Sequence, residues 1–350
     1  MTDASGRPAL SARALNRALL ARQMLLERVD RPVPEVLEAM GGLQAQYAPS
    51  MYIGLWTRVA GFERDTLTRL LERREVVQAT LLRSTIHLVS RADYWPMSIA
   101  IRDFRPVLDP ALTKHLEQAI EQLRAGPVRR TELGPEIRGR LHLHLDLVRV
   151  PPAGTWERRR ADVYGLAEDW LGEPPAPDPR EPATAGPGEP QTAVRQAREH
   201  LIRRYLAAFG PAHRSAIADW AGLPVAVVQQ ALAGLELVTF RDTRGRELVD
   251  LPDAPRPDPE TPAPVRFLPT YDATLLVHAR RTLILPEQYR SRVFHVRMPQ
   301  SIGTFLVDGQ VAGTWQYKRE GLQWESFETL PARVRRAVDA EAELLRSFHV

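Results

Sequence analysis

The sequence predicts a mixed α+β fold, mainly α with β-wings: three tandem winged-helix units followed by a β-rich C-terminal portion. Three observations lead there. Amphipathic helical runs alternate with short β-branched segments. Two Pro-rich stretches, 173–190 and 252–264, break the chain as linkers or exposed loops do. At 350 residues the chain is long enough for several modules, each with its own core.

The elements follow in order. "ALSARALNRALLARQMLLERV", from residue 9, carries Leu and Ala at helical spacing with arginines between, an amphipathic first helix. "RPVPEVLEAMGGL" is a short second helix, with Pro34 in its first turn and Gly41-Gly42 as its stop. "APSMYIGLWTRVAGF" offers Ser50 as the cap of a third helix and "ERDTLTRLLERRE" makes a fourth, after which "VVQATLLRSTIHLVS" reads as strand because β-branched residues dominate. Helices followed by an extended, Arg-bearing segment give the order of a winged helix, in which helix and wing can both touch DNA.

A similar succession recurs in outline. "DPALTKHLEQAIEQLRAG" at 109–126 and "RTELGPEIRGRL" read as helices, "HLHLDLVRV" as a strand, and "PPAGTWERRRADVYGLAEDWLG" as a turn into another helix. A third unit begins near residue 191. It contains the helix-turn-helix pattern "SAIADWAGLPVAVVQQAL", with Gly222 at the turn and Pro224 opening the recognition helix, then a hairpin "TFRDTRGRELV" with a basic tip. Beyond 252 come short strands, an Asp308-Gly309 turn and a closing helix, "PARVRRAVDAEAELLRSF". The expected divisions are 1–108, 109–190, 191–252 and 253–350.

Composition narrows the function. No apolar run reaches the roughly 18 residues a membrane helix needs, and the N-terminus lacks the apolar core of a signal peptide. Zero cysteines exclude disulfides, thiolate metal sites and a Cys nucleophile. A cytoplasmic protein with no cofactor or metal is expected. Net charge is only +4, but of 47 basic residues only Lys114 and Lys318 are lysine. Arginine's planar fork suits phosphate oxygens. A GC-rich coding sequence produces the same Arg excess, so position matters more than count.

Candidate chemistry is sparse. In "RLHLHLDLV", strand alternation would put His142, His144 and Asp146 on one face, a possible metal set. The same alternation describes an exposed strand with its leucines facing the core, and no further ligand stands nearby in sequence. In "LLRSTIHLVSRADYW", alternation gives Arg83, Thr85 and His87 one strand face, either a polar stripe for phosphate or the solvated side of an edge strand. No phosphate loop, dinucleotide fingerprint or nucleophile elbow is present. "GLQAQYAPSMYIGLW" sets Gln44 and Gln46 one residue apart after the Gly-Gly stop. Spacing alone gives these glutamines no special standing.

Several stretches agree on one family. "GLQAQYAP", "LLRSTIHLVSRADYW", "LVRVPPAGTWERRRADVYGLAEDWLG", "FGPAHRSAIADWAGL" and "FLPTYDATLLVHARRTLILPEQYR" followed by "VDGQVAGTW" together resemble the AlkZ-like and YcaQ-like winged-helix proteins of bacteria, over about residues 10–320. The resemblance implies a monofunctional DNA glycosylase acting on bulky N7-alkylated purines in double-stranded DNA and, in the AlkZ branch, unhooking interstrand crosslinks. Gln44-Ala45-Gln46 matches the Gln-apolar-Gln signature of that branch, which implies that both glutamines are catalytic. An N7-alkylated guanine is already cationic and leaves as a neutral base without a proton donor, so positioning a water at C1′ is the remaining task; amides can do that. Where the family often has Asp-Arg, Ala279-Arg280-Arg281 stands here, and the acid's role is not carried over. The competing expectation is a non-enzymatic winged-helix transcriptional regulator. Regulators of that kind normally pair as two-fold dimers, whereas three unlike units in one chain favour a monomer. Arg83, Thr85 and His87 on the strand, with Arg241, Arg244 and Arg246 on the hairpin, are the expected DNA contacts.

Overall fold

Ser11 starts the first helix, Ala12–Arg22, its side-chain oxygen accepting from Ala14 N at 3.0 Å. The computed structural model describes residues 9–174, 191–276, 281–295 and 298–349, a mixed α/β fold throughout. Pro34 lies in the first turn of the helix Val33–Met40, where its missing N–H has no helical partner to lose. Gly41 and Gly42 follow at φ 71° and 81°, and a Cβ on Gly42 would stand 3.1 Å from Leu88 O. Two successive left-handed residues, open to glycine at little cost, swing the chain from helix into the strand Leu43–Gln44. The third helix is Ala48–Trp56. Ser50 therefore lies inside it and is not its cap; Tyr47 holds that position, and the Ser50 hydroxyl instead pairs with Thr270 Oγ1 at 2.6 Å.

One six-stranded antiparallel sheet runs in the order Leu43–Gln44, Ile86–Ser90, Val76–Thr80, Leu147–Arg149, Val163–Leu166, Val128–Arg129. The segment expected as one strand over 76–90 is a hairpin. Its turn is the 3-10 stretch Leu82–Ser84, where Arg83 and Ser84 adopt φ 53° and 57°.

The pattern at 140–148 also resolves differently. Leu141–His144 is one helical turn, and the strand begins only at Leu147. Alternating leucines fit a strand, but burial of Leu141 against Leu123, Leu133 and Ile137 decides for the helix, a tertiary preference that local pattern does not contain. His142, His144 and Asp146 therefore share no strand face. Asp146 takes Arg102 at 3.0 Å, Arg105 at 2.5 Å and the Ser98 hydroxyl, and these cations hold its carboxyl below the usual range against the effect of burial. "RTELGPEIRGRL" yields a 3-10 turn, Arg130–Glu132, and further turns rather than an α-helix, because Gly134-Pro135 interrupts it.

Helix Gln191–Phe209 runs through the largest core, with Leu201, Tyr205 and Phe209 buried against Leu19, Trp220 and Val249. Helices Arg214–Ala221 and Val225–Leu232 turn at Gly222, φ 70°, with Pro224 as N-cap of the second. The hairpin Val238–Asp242 with Glu247–Asp250 gains a third strand from the other end of the chain, since Ala9–Leu10 lies parallel to Val238–Asp242. In the C-terminal portion, Arg266–Leu268, Gly303–Val307, Gln310–Lys318 and Gly321–Ser326 form an antiparallel sheet in that order. The closing helix Ala332–His349 buries Val338, Ala342 and Leu345 in a core that also holds Phe267, Phe305, Leu43 and Ala45.

Two fully buried ion pairs tie these parts together. Arg58 meets Asp272 through two bonds of 2.9 Å, and Arg22 meets Asp250 at 2.7 and 2.8 Å. The first joins the end of helix Ala48–Trp56 to the C-terminal portion; the second joins the first helix to the hairpin. Among the described residues no helix is long and apolar enough to cross a membrane.

Candidate active site

Leu43–Gln44 is the edge strand of the six-stranded sheet, and strand alternation continues past it. Leu43 and Ala45 are buried, Gln44 is half-buried and Gln46 is exposed. The apolar residue between the glutamines thus anchors the segment in the core, and both amides stay on its open side. Ala45 N donates to Ile86 O at 2.7 Å, which fixes the segment on its neighbour strand. The Gln44 Nε2 donates to Gln46 Oε1, joining the two side chains.

Opposite Gln44 stands His87. Because Ala45 and Ile86 make the ladder bond, Gln44 and His87 form the non-bonded pair of the antiparallel register, the type in which side chains approach most closely. His87 is buried, and burial first, then the nearby Arg83 cation, push its imidazole down to about 4 despite a backbone bond that opposes the shift. The ring is neutral at pH 7. Its Nδ1 lies 2.9 Å from the Thr85 carbonyl, which can only accept, so Nδ1 carries the hydrogen and Nε2 keeps its lone pair. Gln44, Gln46 and His87 are therefore three uncharged groups that can hold water by accepting or donating.

The expected face of Arg83, Thr85 and His87 does not form. Arg83 belongs to the left-handed turn and Thr85 follows it, its hydroxyl donating to Leu82 O at 3.0 Å, while His87 alone lies on the strand beside Gln44. The alternation fails because the turn consumes residues 82–84. Arg83 reaches away toward the helix-turn-helix: its Nη1 is 3.4 Å from Asp219 O, and a Cβ on Gly222 would meet its Cγ at 3.2 Å. Burial lowers its pKa, offset in part by Asp219. On the hairpin, Arg246 pairs with Asp242 at 2.8 Å and Arg241 donates to Gly245 O at 2.5 Å, while Arg244 stands exposed at the tip. Ala279 and Arg280 lie outside the described residues.

The two glutamines are evident from the sequence, whereas the side chains around them are not. Tyr47, directly after Gln46, accepts a hydrogen bond from Arg159 Nη1 at 3.2 Å. Together they border a cavity of about 270 Å³ closed by Trp156, Trp315, Tyr317 and His349. The signal available in sequence was Tyr47 itself, an aromatic next to a polar pair; its partners come from more than 100 residues away.

No curated protein matches the chain. Among solved structures, the Streptomyces sahachiroi DNA glycosylase AlkZ shares the fold with a TM-score of 0.76 at 19% sequence identity, over 98% of this chain and 98% of that one. The family model for AlkZ-like DNA glycosylases matches residues 37–348, a span that contains the glutamine pair, the helix-turn-helix and the C-terminal sheet. The chain is an enzyme of DNA repair and belongs to the AlkZ-like DNA glycosylase family.

Proposed function

We propose that this glycosylase hydrolyses the N-glycosidic bond of bulky N7-alkylated purines in double-stranded DNA, with Gln44 and Gln46 positioning the attacking water. The observation that carries the reading is the side-chain bond between the two amides. It engages one N–H of the Gln44 amide and fixes the side chain so that its carbonyl oxygen can accept from water. A water held there presents an oxygen lone pair to C1′ as the bond to the base lengthens.

The chemistry suits the uncharged surroundings. Normal glycosidic cleavage pairs a proton donor with a carboxylate. An alkylated purine needs no donor, because breaking its bond discharges a cation. Positive charge moves from the base to the sugar, and a neutral His87 beside Gln44 adds no repulsion to it. The amides are weak bases, so the water loses its proton only after C–N cleavage is well advanced, and unmodified bases, which leave poorly, stay in place. An interstrand crosslink through N7 presents the same cationic purine, so the same step would unhook it. The enzyme acts as a monomer in the cytoplasm, at the nucleoid, with Arg244 and its neighbours on the DNA backbone.

The test is base release from duplex DNA carrying N7-alkylguanine. Gln44→Ala with Gln46→Ala should lower single-turnover release at least 100-fold while duplex binding is kept. Undiminished release by the double variant would overturn the assignment.

A further inference from the structure

The cavity bordered by Tyr47, the residue after Gln46, is built from rings contributed by distant parts of the chain. Tyr47 stands one Cα step, about 3.8 Å, from Gln46. Trp156 comes from the turn before the strand Val163–Leu166, Trp315 and Tyr317 from the strand Gln310–Lys318, and His349 from the end of the closing helix. Tyr317 and His349 stack with centroids 4.0 Å apart and planes 5° from parallel, and Trp156 meets His349 edge-on at 5.4 Å. Tyr47 and Tyr317 are 42% and 41% exposed, the two tyrosines among the large apolar side chains left open to solvent in the described residues. Both stand on this cavity.

Its charge narrows the occupant. Arg159 lines it, and no carboxylate does among the described residues. Burial, then Arg64 and Arg159, lower the His349 pKa against a bond to the Leu345 carbonyl that opposes the shift, so the ring beside Tyr317 adds no charge of its own to the two arginines. Arg64 already stands over the Trp156 ring at 5.1 Å and Arg159 lines the wall, so a further cation such as the N7-alkylated purine itself is disfavoured there. A flat, uncharged ring is not; it gains offset or edge contacts with four aromatic side chains. We infer that this cavity is the subsite for the neutral aromatic part of the group carried at N7, and that Tyr47, Trp156, Tyr317 and His349 set the preference among adducts.

The inference rests on the proposed glycosylase chemistry at Gln44 and Gln46, and it places specificity in the C-terminal sheet and closing helix rather than in the strand that carries the glutamines. Tyr317 lies outside the proposed catalytic pair, so Tyr317→Ala should leave release of N7-methylguanine from duplex DNA unchanged. It should lower kcat/KM for N7-benzylguanine about threefold to tenfold, the range of one aromatic pair. N7-cyclohexylmethylguanine, similar in bulk without a flat ring, should respond less than the benzyl adduct. Equal loss on all three substrates, or none on the benzyl adduct, would overturn the subsite.

A binding measurement separates this from the chemistry. Trp156 and Trp315 line the cavity, so a duplex carrying N7-benzylguanine on a 2′-fluoro sugar, which resists cleavage, should quench tryptophan fluorescence in the wild type and in the Gln44→Ala, Gln46→Ala double variant. Tyr317→Ala should weaken that binding toward the level of the N7-methyl duplex, by about the same threefold to tenfold. If the double variant still cleaves while the Tyr317→Ala discrimination persists, the catalytic assignment fails and the subsite stands. If binding never depends on the benzyl group, the subsite fails whatever the glutamines do.

Discussion

Changing the pH should reveal His87. Its imidazole is held at about 4 by burial, against an ordinary value near 6.5 in the unfolded chain. Below pH 6.5 the unfolded chain binds a proton that the folded ring refuses, so stability falls as pH drops from about 6.5 to 4 and falls no further from this group below that. The full separation of about 2.5 units corresponds to roughly 3 kcal/mol at 1.36 kcal/mol per unit; at pH 4.5 most of it, about 2 to 3 kcal/mol, is already lost. Other groups titrate in the same window, so the measurement is a difference. Urea unfolding followed by tryptophan fluorescence at about pH 7, 5.5 and 4.5 gives the stability of the wild type and of His87→Gln. With equal m-values, the wild type should lose about 2 to 3 kcal/mol more than the variant between the highest and lowest pH. Parallel losses in the two proteins would refute the reasoning, because they would show that His87 protonates as readily folded as unfolded.

Three other outcomes follow from the same geometry. Asp272→Asn leaves the buried Arg58 guanidinium without its doubly bonded carboxylate, and thermal or urea unfolding should show a loss of about 3 to 5 kcal/mol or outright failure to fold. At the hairpin, Arg244→Ala should reduce the slope of log affinity against log salt for duplex DNA by about 1, whereas Arg246→Ala, whose guanidinium is already paired with Asp242, should change it less; titration at several salt concentrations decides, and equal slopes would remove Arg244 from the interface. Single-turnover release of N7-methylguanine should be nearly independent of pH between about 5 and 8, since amides do not titrate and His87 is neutral throughout; a bell-shaped profile centred in that range would mean that an ionising group performs the chemistry.

Residues whose partners lie close in sequence could be read before the fold was known. Gly41-Gly42 and Pro34 mark the second helix, and Gly222 with Pro224 marks the helix-turn-helix, because each acts through its own φ or missing N–H. Where long-range packing chose between local options, pattern misled. The leucines of 141–147 alternate like a strand, yet Leu141 is drawn into a helical turn by Leu123, Leu133 and Ile137. Arg83, Thr85 and His87 alternate too, but the left-handed pair Arg83 and Ser84 turns the chain between them. The glutamines were visible as a pair; that His87 faces one of them depends on a register between residues 44 and 87 that no local spacing encodes.

In the mechanism we propose, the position of the glutamine pair lets this fold run the reaction without an acid or a base. A buried carboxylate requires a compensating cation, as Asp250 and Asp272 each have here, and a carboxylate so paired is a poor base. Amides carry no such requirement. Ala45 is locked into the core and Leu43 into the ladder with Leu88, so the sheet edge presents two side chains whose direction is set by backbone alternation and whose mutual bond limits their rotation. Order therefore comes from the backbone and not from charge. In the proposed mechanism that arrangement places a water against a sugar that is becoming positive without offering any charge to a normal, neutral nucleotide, so damaged and normal bases are separated first by the leaving group's own reactivity.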